Sequence, residues 1–404
     1  MTAVGQVSGT CERAEQVSVA KKLRILFLID EIEGITEGGT ERQILQLIQL
    51  ARRLGYEPRL AILRGSEWLR EERAGCPVYL AGARSLLHPS GWRACKELAL
   101  WMRREQITVV QTFFMESNIV GPLLARMAGV PIVIGSRRNL NQWQERPSWM
   151  RPFFRQFQRL ANLPTDCIIG NSQVVTEAMT HVEGVAPHKM RIAYNGIDLK
   201  KFSGVEHQRA RARRVLGVDD DRILVGNISC MRLVKGLDQF VEAARIALEK
   251  DRNLQFMIVG DGVERPAITE QIRRHGLEEQ IHLAGAQENV LPYLAAMDIG
   301  VLSSLAEGFS NSLLEYMASG LASVATDVGG NREALEETGI LVPPRDPVAL
   351  AEAILELRSP ELRRQLGRAA RHRVERFSLE QAERRMEEIY SELLTAKGHL
   401  QRTN

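Results

Sequence analysis

Aromatic residues make up only 5% of this 404-residue chain, and 53 Lys and Arg against 50 Asp and Glu leave a formal net charge of just +3. So small an excess gives no chain-wide argument for a nucleic-acid partner. Cysteine is equally scarce. Cys11, Cys76, Cys95, Cys167 and Cys230 form no Cys-x-x-Cys pair and have no histidine at ligand spacing, so reduced thiols are expected rather than a zinc framework. The hydrophobic runs are too short to cross a bilayer. Residues 1–20 lack a long apolar core and read as a flexible leader rather than a secretory signal, which places the protein in the cytosol. No Gly-x-Gly-x-x-Gly follows the first strand candidate, which disfavours a nicotinamide dehydrogenase. The one Asp-x-Asp pattern, Asp219-Asp220-Asp221, lies in a polar turn and reads as a solvated acidic turn. No metal and no resident cofactor are expected.

What is present points to two domains. The length exceeds that at which a single core stops growing, and 44% apolar with 25% charged residues is ordinary for a globular protein. Apolar, β-prone runs at 23–29, 59–63, 77–80, 108–112, 131–135 and 167–169 alternate with helical patterns such as 92–105 and 116–128. Alternation of this kind predicts a parallel, doubly wound α/β sheet, with ligands outside the carboxyl ends of its strands. Tyr194-Asn195-Gly196-Ile197-Asp198 is a turn signal that closes the first half. A second series follows at 223–228, 254–259, 281–284, 299–302 and 322–325. The boundaries read as 21–196 and 197–374, with a charged helical segment from 375 to 404.

The segment from Ser303 to Gly320 carries the most chemistry. A short strand candidate ends before Glu307, and a run capped by Ser310 and Asn311 begins a helix that contains Glu315. A strand-to-helix junction points unpaired N–H groups and the positive helix end at whatever lies before it, which favours phosphate. Carboxylates beside a phosphate must face neutral neighbours, so Glu307 and Glu315 read as acceptors for hydroxyl protons. A nucleotide diphosphate sugar meets these demands together.

This run, Glu-Gly-Phe-Ser-Asn-Ser-Leu-Leu-Glu, together with Ala-Thr-Asp-Val-Gly-Gly at 325–330, resembles family 4 of the retaining glycosyltransferases, the group 1 glycosyl transferases. The resemblance implies the GT-B fold: two Rossmann-like domains facing across a cleft, with the C-terminal helix crossing back to the first. It also implies roles. Glu307 would contact the donor sugar and Glu315 the ribose, while the amides around Gly308, Phe309, Ser310 and Asn311 would hold the diphosphate. Arg232 and Lys235 would stabilise the leaving diphosphate, although only Leu233 and Val234 separate them where the family has four residues. Gly38 and Gly39 resemble the family's Gly-Gly-x-Glu loop on the acceptor side. The base would rest near Gly285 to Val290.

Other features bear on the acceptor. Gln111 stands where relatives often have histidine, so that position only hydrogen-bonds. Arg137 and Arg138 follow a strand and offer cations to an anionic acceptor or the donor phosphate, or else serve as solvated or salt-bridged arginines. Residues 143–160 mix Trp143, Trp149, Phe153, Phe154 and Phe157 with Arg146, Arg151, Arg155 and Arg159. They suit either a membrane interface or an amphipathic helix packed on the sheet with its arginines outside. The expected function is metal-independent, retaining transfer of a hexose or N-acetylhexosamine from a nucleotide sugar to a cell-surface glycan or lipid-linked acceptor. A donor-binding but inactive partner subunit is the alternative, and an epimerase or phosphorylase fits the glutamate run less well.

Overall fold

A computed structural model of the chain describes residues 23–31, 39–64, 74–83, 88–139 and 148–399. Among the described residues thirteen strands form two sheets. The first has the order β3-β2-β1-β4-β5-β6-β7, with β1 Arg24–Ile29, β2 Glu57–Ile62, β3 Val78–Leu80, β4 Val109–Thr112, β5 Ile132–Arg137, β6 Cys167–Gly170 and β7 Met190–Ile192. The second has the order β10-β9-β8-β11-β12-β13, with β8 Ile223–Ile228, β9 Leu254–Val259, β10 Ile281–Gly285, β11 Ile299–Leu302, β12 Ala322–Thr326 and β13 Ile340–Val342. Every pairing between named strands is parallel.

Parallel sheets bury both faces, which explains why the central strands are largely apolar and buried throughout rather than alternating. In β1 the residues Ile25, Phe27 and Ile29 join one core with the helix Gly39–Arg53. Leu26 and Leu28 join a separate core with the helix Pro89–Arg104. The second sheet is layered in the same way, Leu224 facing one core and Val225 the other. The strands β7 and β13, which the sequence pattern does not reveal, are three-residue edge strands with one neighbour each.

The chain crosses between the sheets twice, and the two crossings are bonded to each other. The Ile197 N–H donates to the Phe377 carbonyl at 3.0 Å, and the Leu379 N–H donates to the Ile197 carbonyl at 2.8 Å. Beyond the second crossing the helix Leu379–Ala396 lies on the first sheet, where Met386, Ile389, Tyr390 and Leu394 enter its core. Gly196 permits that approach, because a Cβ there would sit 2.7 Å from the Ala382 Cβ. The Tyr390 hydroxyl donates to Gln111 Oε1 at 2.5 Å in the interior, while Gln111 Nε2 donates to Ser136 Oγ at 2.9 Å. Gln111 therefore anchors the returning helix. Tyr390→Phe leaves a buried acceptor unpaired, and is expected to cost about 1–3 kcal/mol, read as an earlier urea unfolding midpoint. An unchanged midpoint would remove Gln111 as an anchor.

Candidate active site

The carboxyl ends of the two sheets face one another, and the loops there hold the groups singled out above. After β11, Glu307 is buried on a loop braced from three sides. Its Oε1 accepts from Lys235 Nζ at 2.6 Å and from Ser304 Oγ at 2.6 Å. The Ser304 carbonyl in turn accepts from Thr326 Oγ1 at 2.6 Å. From below, Gly329 packs against the Glu307 backbone so closely that a Cβ would lie 2.0 Å from the Glu307 carbonyl oxygen, and its φ of +54° suits glycine.

Lys235 arrives on the loop after β8. That loop is tied to the glutamate loop by Ser303 Oγ donating to the Lys235 carbonyl at 3.0 Å and by the Leu305 N–H donating to the Val234 carbonyl at 2.8 Å. Gly236, at φ +58°, brings the chain within 2.3 Å of the Ser303 carbonyl for any Cβ, so no other residue fits without displacement. Burial pulls the Lys235 ammonium down, but the charge and hydrogen bond of Glu307 outweigh it and hold its pKa above the ordinary lysine value. A fixed positive charge thus sits beside the carboxylate. Arg232 is exposed and forms no ion pair among the described residues. Only the lysine of this expected pair is held in place.

The helix Asn311–Ala318 begins at Ser310, whose hydroxyl accepts from the Leu313 N–H at 3.3 Å. Among the described residues the N–H groups of Phe309, Ser310, Asn311 and Ser312 have no hydrogen-bond partner, so the helix end keeps its donors for a ligand. The Phe309 ring is buried against Tyr194 and Phe377, at 5.2 and 5.1 Å between centroids. Further along, Glu315 is half-buried. Its pKa is raised by burial and partly restored by Arg42, whose Nη1 lies 3.4 Å away.

Arg42 belongs to the first domain, on the helix that begins at Gly39. Gly38, the other half of the expected glycine loop, lies outside the described residues. Asn195 bridges the cleft as well, donating to the Phe309 carbonyl and to Asn311 Oδ1, both at 2.8 Å. Gln43 adds a weaker contact to Asn311 Oδ1 at 3.4 Å. Sequence reasoning took Asn195 only as part of a turn and did not single out Arg42 or Gln43. The signal for Asn195 was its place in the segment joining the domains.

The two arginines after β5 have different surroundings. Arg137 is buried in an ion pair with Glu183 at 3.1 Å and donates to Asn162 Oδ1 at 2.8 Å. It is interior structure, the salt-bridged one of the two alternatives left open for these arginines, so the expected anion-site role does not fit Arg137. Arg138 instead reaches the cleft. It donates to Asn195 Oδ1 at 2.8 Å, lies 5.7 Å over the Phe113 ring, and has no carboxylate partner among the described residues. Burial pulls its pKa down to about 10, so it stays cationic at neutral pH. It lines a small cavity with Gln43, Gln111, Tyr194 and Glu383 beneath the returning helix.

Comparison with known proteins fits this geometry. Residues 37–201 match the family described as Glycosyltransferase Family 4, and residues 221–359 match Glycosyl transferases group 1. The chain is 30% identical to the alpha-D-kanosaminyltransferase of Streptomyces kanamyceticus over 286 residues, 67% of this chain and 73% of that enzyme. The chain belongs to glycosyltransferase family 4. Another relative is the N-acetyl-alpha-D-glucosaminyl L-malate synthase of Bacillus anthracis, 33% identical over 56% of the chain, and the chain spans only 61% of that enzyme's length. The fold is that of Anabaena HepE in complex with UDP, with a TM-score of 0.77 at 22% identity over 92% of this chain and 100% of that one. A sucrose-phosphate synthase from Thermosynechococcus elongatus gives 0.79 at 22% identity over 93% and 100%. Both likenesses bear out the GT-B architecture expected from the glutamate run.

Proposed function

We propose that this glycosyltransferase moves a hexose or N-acetylhexosamine, with retention, from a nucleotide diphosphate sugar to a glycan or lipid-linked acceptor in cell-surface polysaccharide synthesis. The observation that carries the donor assignment is the Lys235–Glu307 contact at 2.6 Å beside a helix start with unpaired amides. HepE, similar in fold, is known in complexes with UDP-glucose and with UDP and glucose. As the bond between the anomeric carbon and the phosphate oxygen breaks, its electron pair passes to the diphosphate. Lys235 and the amides from Phe309 to Asn311 stabilise that charge without reorganising. The acceptor oxygen bonds to the anomeric carbon, and its proton passes to the departing phosphate oxygen.

Retention on this route requires attack from the face the leaving group vacates. Glu307 is a poor alternative as covalent nucleophile, because in this reading it faces the hydroxyls of the donor sugar, with Lys235 and Ser304 holding its Oε1. Glu315 accepts from the ribose, and Arg42 draws the first domain onto it. A thermal-shift panel of UDP-, GDP- and ADP-sugars tests the donor class. One nucleotide is expected to stabilise the protein by about 2.7 kcal/mol at a hundredfold excess over its Kd, and transfer is expected to persist in EDTA because Lys235 supplies the countercharge. Absence of any shift across the panel, or turnover abolished by EDTA and restored by Mg or Mn, would sink the respective part of the proposal.

A further inference from the structure

The helix Arg151–Asn162 is built inside out. Its polar residues Gln158 and Asn162 are buried, Gln158 Nε2 donating to the Asn118 carbonyl at 3.3 Å and Asn162 Nδ2 to Glu183 Oε2 at 3.0 Å. Several of its large apolar residues face outward. Phe153 is 64% exposed, Phe157 56% and Leu160 50%, with Trp149 at 70% just before the helix and Leu163 at 71% just after it. Positions 149, 153, 157 and 160 recur at steps of four and three, so they form one stripe along the helix. The helix Met115–Met127 packed beside it also exposes Leu123 and Met127. The arginines Arg155 and Arg159 lie outside as expected, but large apolar side chains lie outside with them, and it is Gln158 and Asn162 that pack inward.

Burial in this chain's own core does not account for so much exposed aromatic surface, and the charge on the segment itself has one sign. No acidic residue occurs from 146 to 165, while Arg151, Arg155 and Arg159 lie on the helix. Arg155 and Arg159 are exposed and have no carboxylate partner among the described residues. An apolar stripe at headgroup depth flanked by unpaired guanidinium groups complements an anionic bilayer surface, where rings enter the acyl boundary and arginines meet lipid phosphates. No helix among the described residues is long and apolar enough to cross a membrane, so the contact is peripheral.

We propose that the outward face of Arg151–Asn162, with Trp149 and Leu163, docks this protein onto an anionic phospholipid surface. The contact also bears on the cleft. The buried side of the helix holds Arg137 through Asn162, and the next residue, Arg138, reaches the cleft. A docked helix would thus set the acceptor side of the cleft at a fixed height above the bilayer. The inference does not depend on the donor assignment, because it uses no residue of that site.

Co-sedimentation of the full chain with vesicles of equal phosphatidylglycerol and phosphatidylcholine, against phosphatidylcholine alone, tests it. Binding is expected to the anionic vesicles only, and to weaken with salt. Phe153→Ser with Phe157→Ser, and separately Arg155→Glu with Arg159→Glu, should each weaken partition by about tenfold or more. These side chains are exposed, so thermal unfolding and the nucleotide-induced shift should stay as in the wild type. A wild-type chain left in the supernatant, or partition indifferent to both pairs of substitutions, would overturn the proposal. So would a concentration-dependent dimer in sedimentation velocity that the Phe153→Ser, Phe157→Ser variant dissolves without any vesicle binding by the wild type.

Discussion

Lys235→Ala is expected to lower kcat/KM for sugar transfer by about 10²–10³-fold, the loss typical of removing one preorganised group that meets developing charge. The ammonium is held 2.6 Å from Glu307 Oε1, on a loop that Ser303 and Leu305 fasten to the glutamate loop. It is therefore placed before the donor arrives. Its pKa lies above the ordinary value despite burial, because Glu307 more than offsets the desolvation. The sign follows from linkage: a raised lysine pKa contributes stability that is complete below the unfolded value and is lost only as pH rises through the folded one. Across neutral and mildly alkaline pH the cation is thus constant, and activity there should show no titration of this group.

Truncating Lys235 alone also leaves the Glu307 carboxylate buried without its cation, so some loss of stability is expected alongside the loss of rate. The double variant Lys235→Met, Glu307→Gln separates the two effects. It removes both charges, should melt closer to the wild type than Lys235→Ala does, and should remain without transfer. Wild-type turnover in Lys235→Ala would remove the lysine from the reaction.

Much of this site was legible in the sequence because it is local. Glu307, Ser310 and Glu315 lie in one loop and helix, and a cap residue before a periodic apolar run is a short-range signal. The central strands were legible for a similar reason: Ile25 to Ile29 of β1 and Phe256 to Val259 of β9 are continuously apolar because both sheet faces are covered. The edge strands β7 and β13 were missed, although β3, an edge strand equally short, was read at 77–80. Contacts made across the cleft were also hidden. Arg42 meets Glu315 from 273 residues away and Asn195 meets Asn311 from 116, distances at which spacing says nothing. The separation of Arg137 from Arg138 likewise depends on Glu183 and Asn162, which only the fold brings together. In the helix after Ser148 the periodicity was visible, but which stripe faces inward was set by that buried polar network.

Gly308→Ala and Gly329→Ala should fail in different ways, because one glycine is crowded by the opposite domain and the other by its own. A Cβ at Gly308 would lie 1.8 Å from the Arg138 carbonyl oxygen and 2.6 Å from its carbon, both backbone atoms of the first domain. The second domain alone accommodates alanine there, but the closed cleft does not. The variant is expected to bind the nucleotide about as well as the wild type and to lose about 10²-fold in kcat, the scale of a misplacement near 1 Å between reacting groups. Its radius of gyration with donor bound should exceed that of the wild type. At Gly329 the clash is with the Glu307 carbonyl oxygen at 2.0 Å, within the same domain, and the φ of +54° adds strain for any other residue. Opening the cleft does not relieve it. Gly329→Ala should therefore displace the Glu307 loop and weaken nucleotide binding itself, seen as a smaller thermal shift. Domain closure at Gly308 would be dispensable for transfer if Gly308→Ala turned over at the wild-type rate while scattering showed it open.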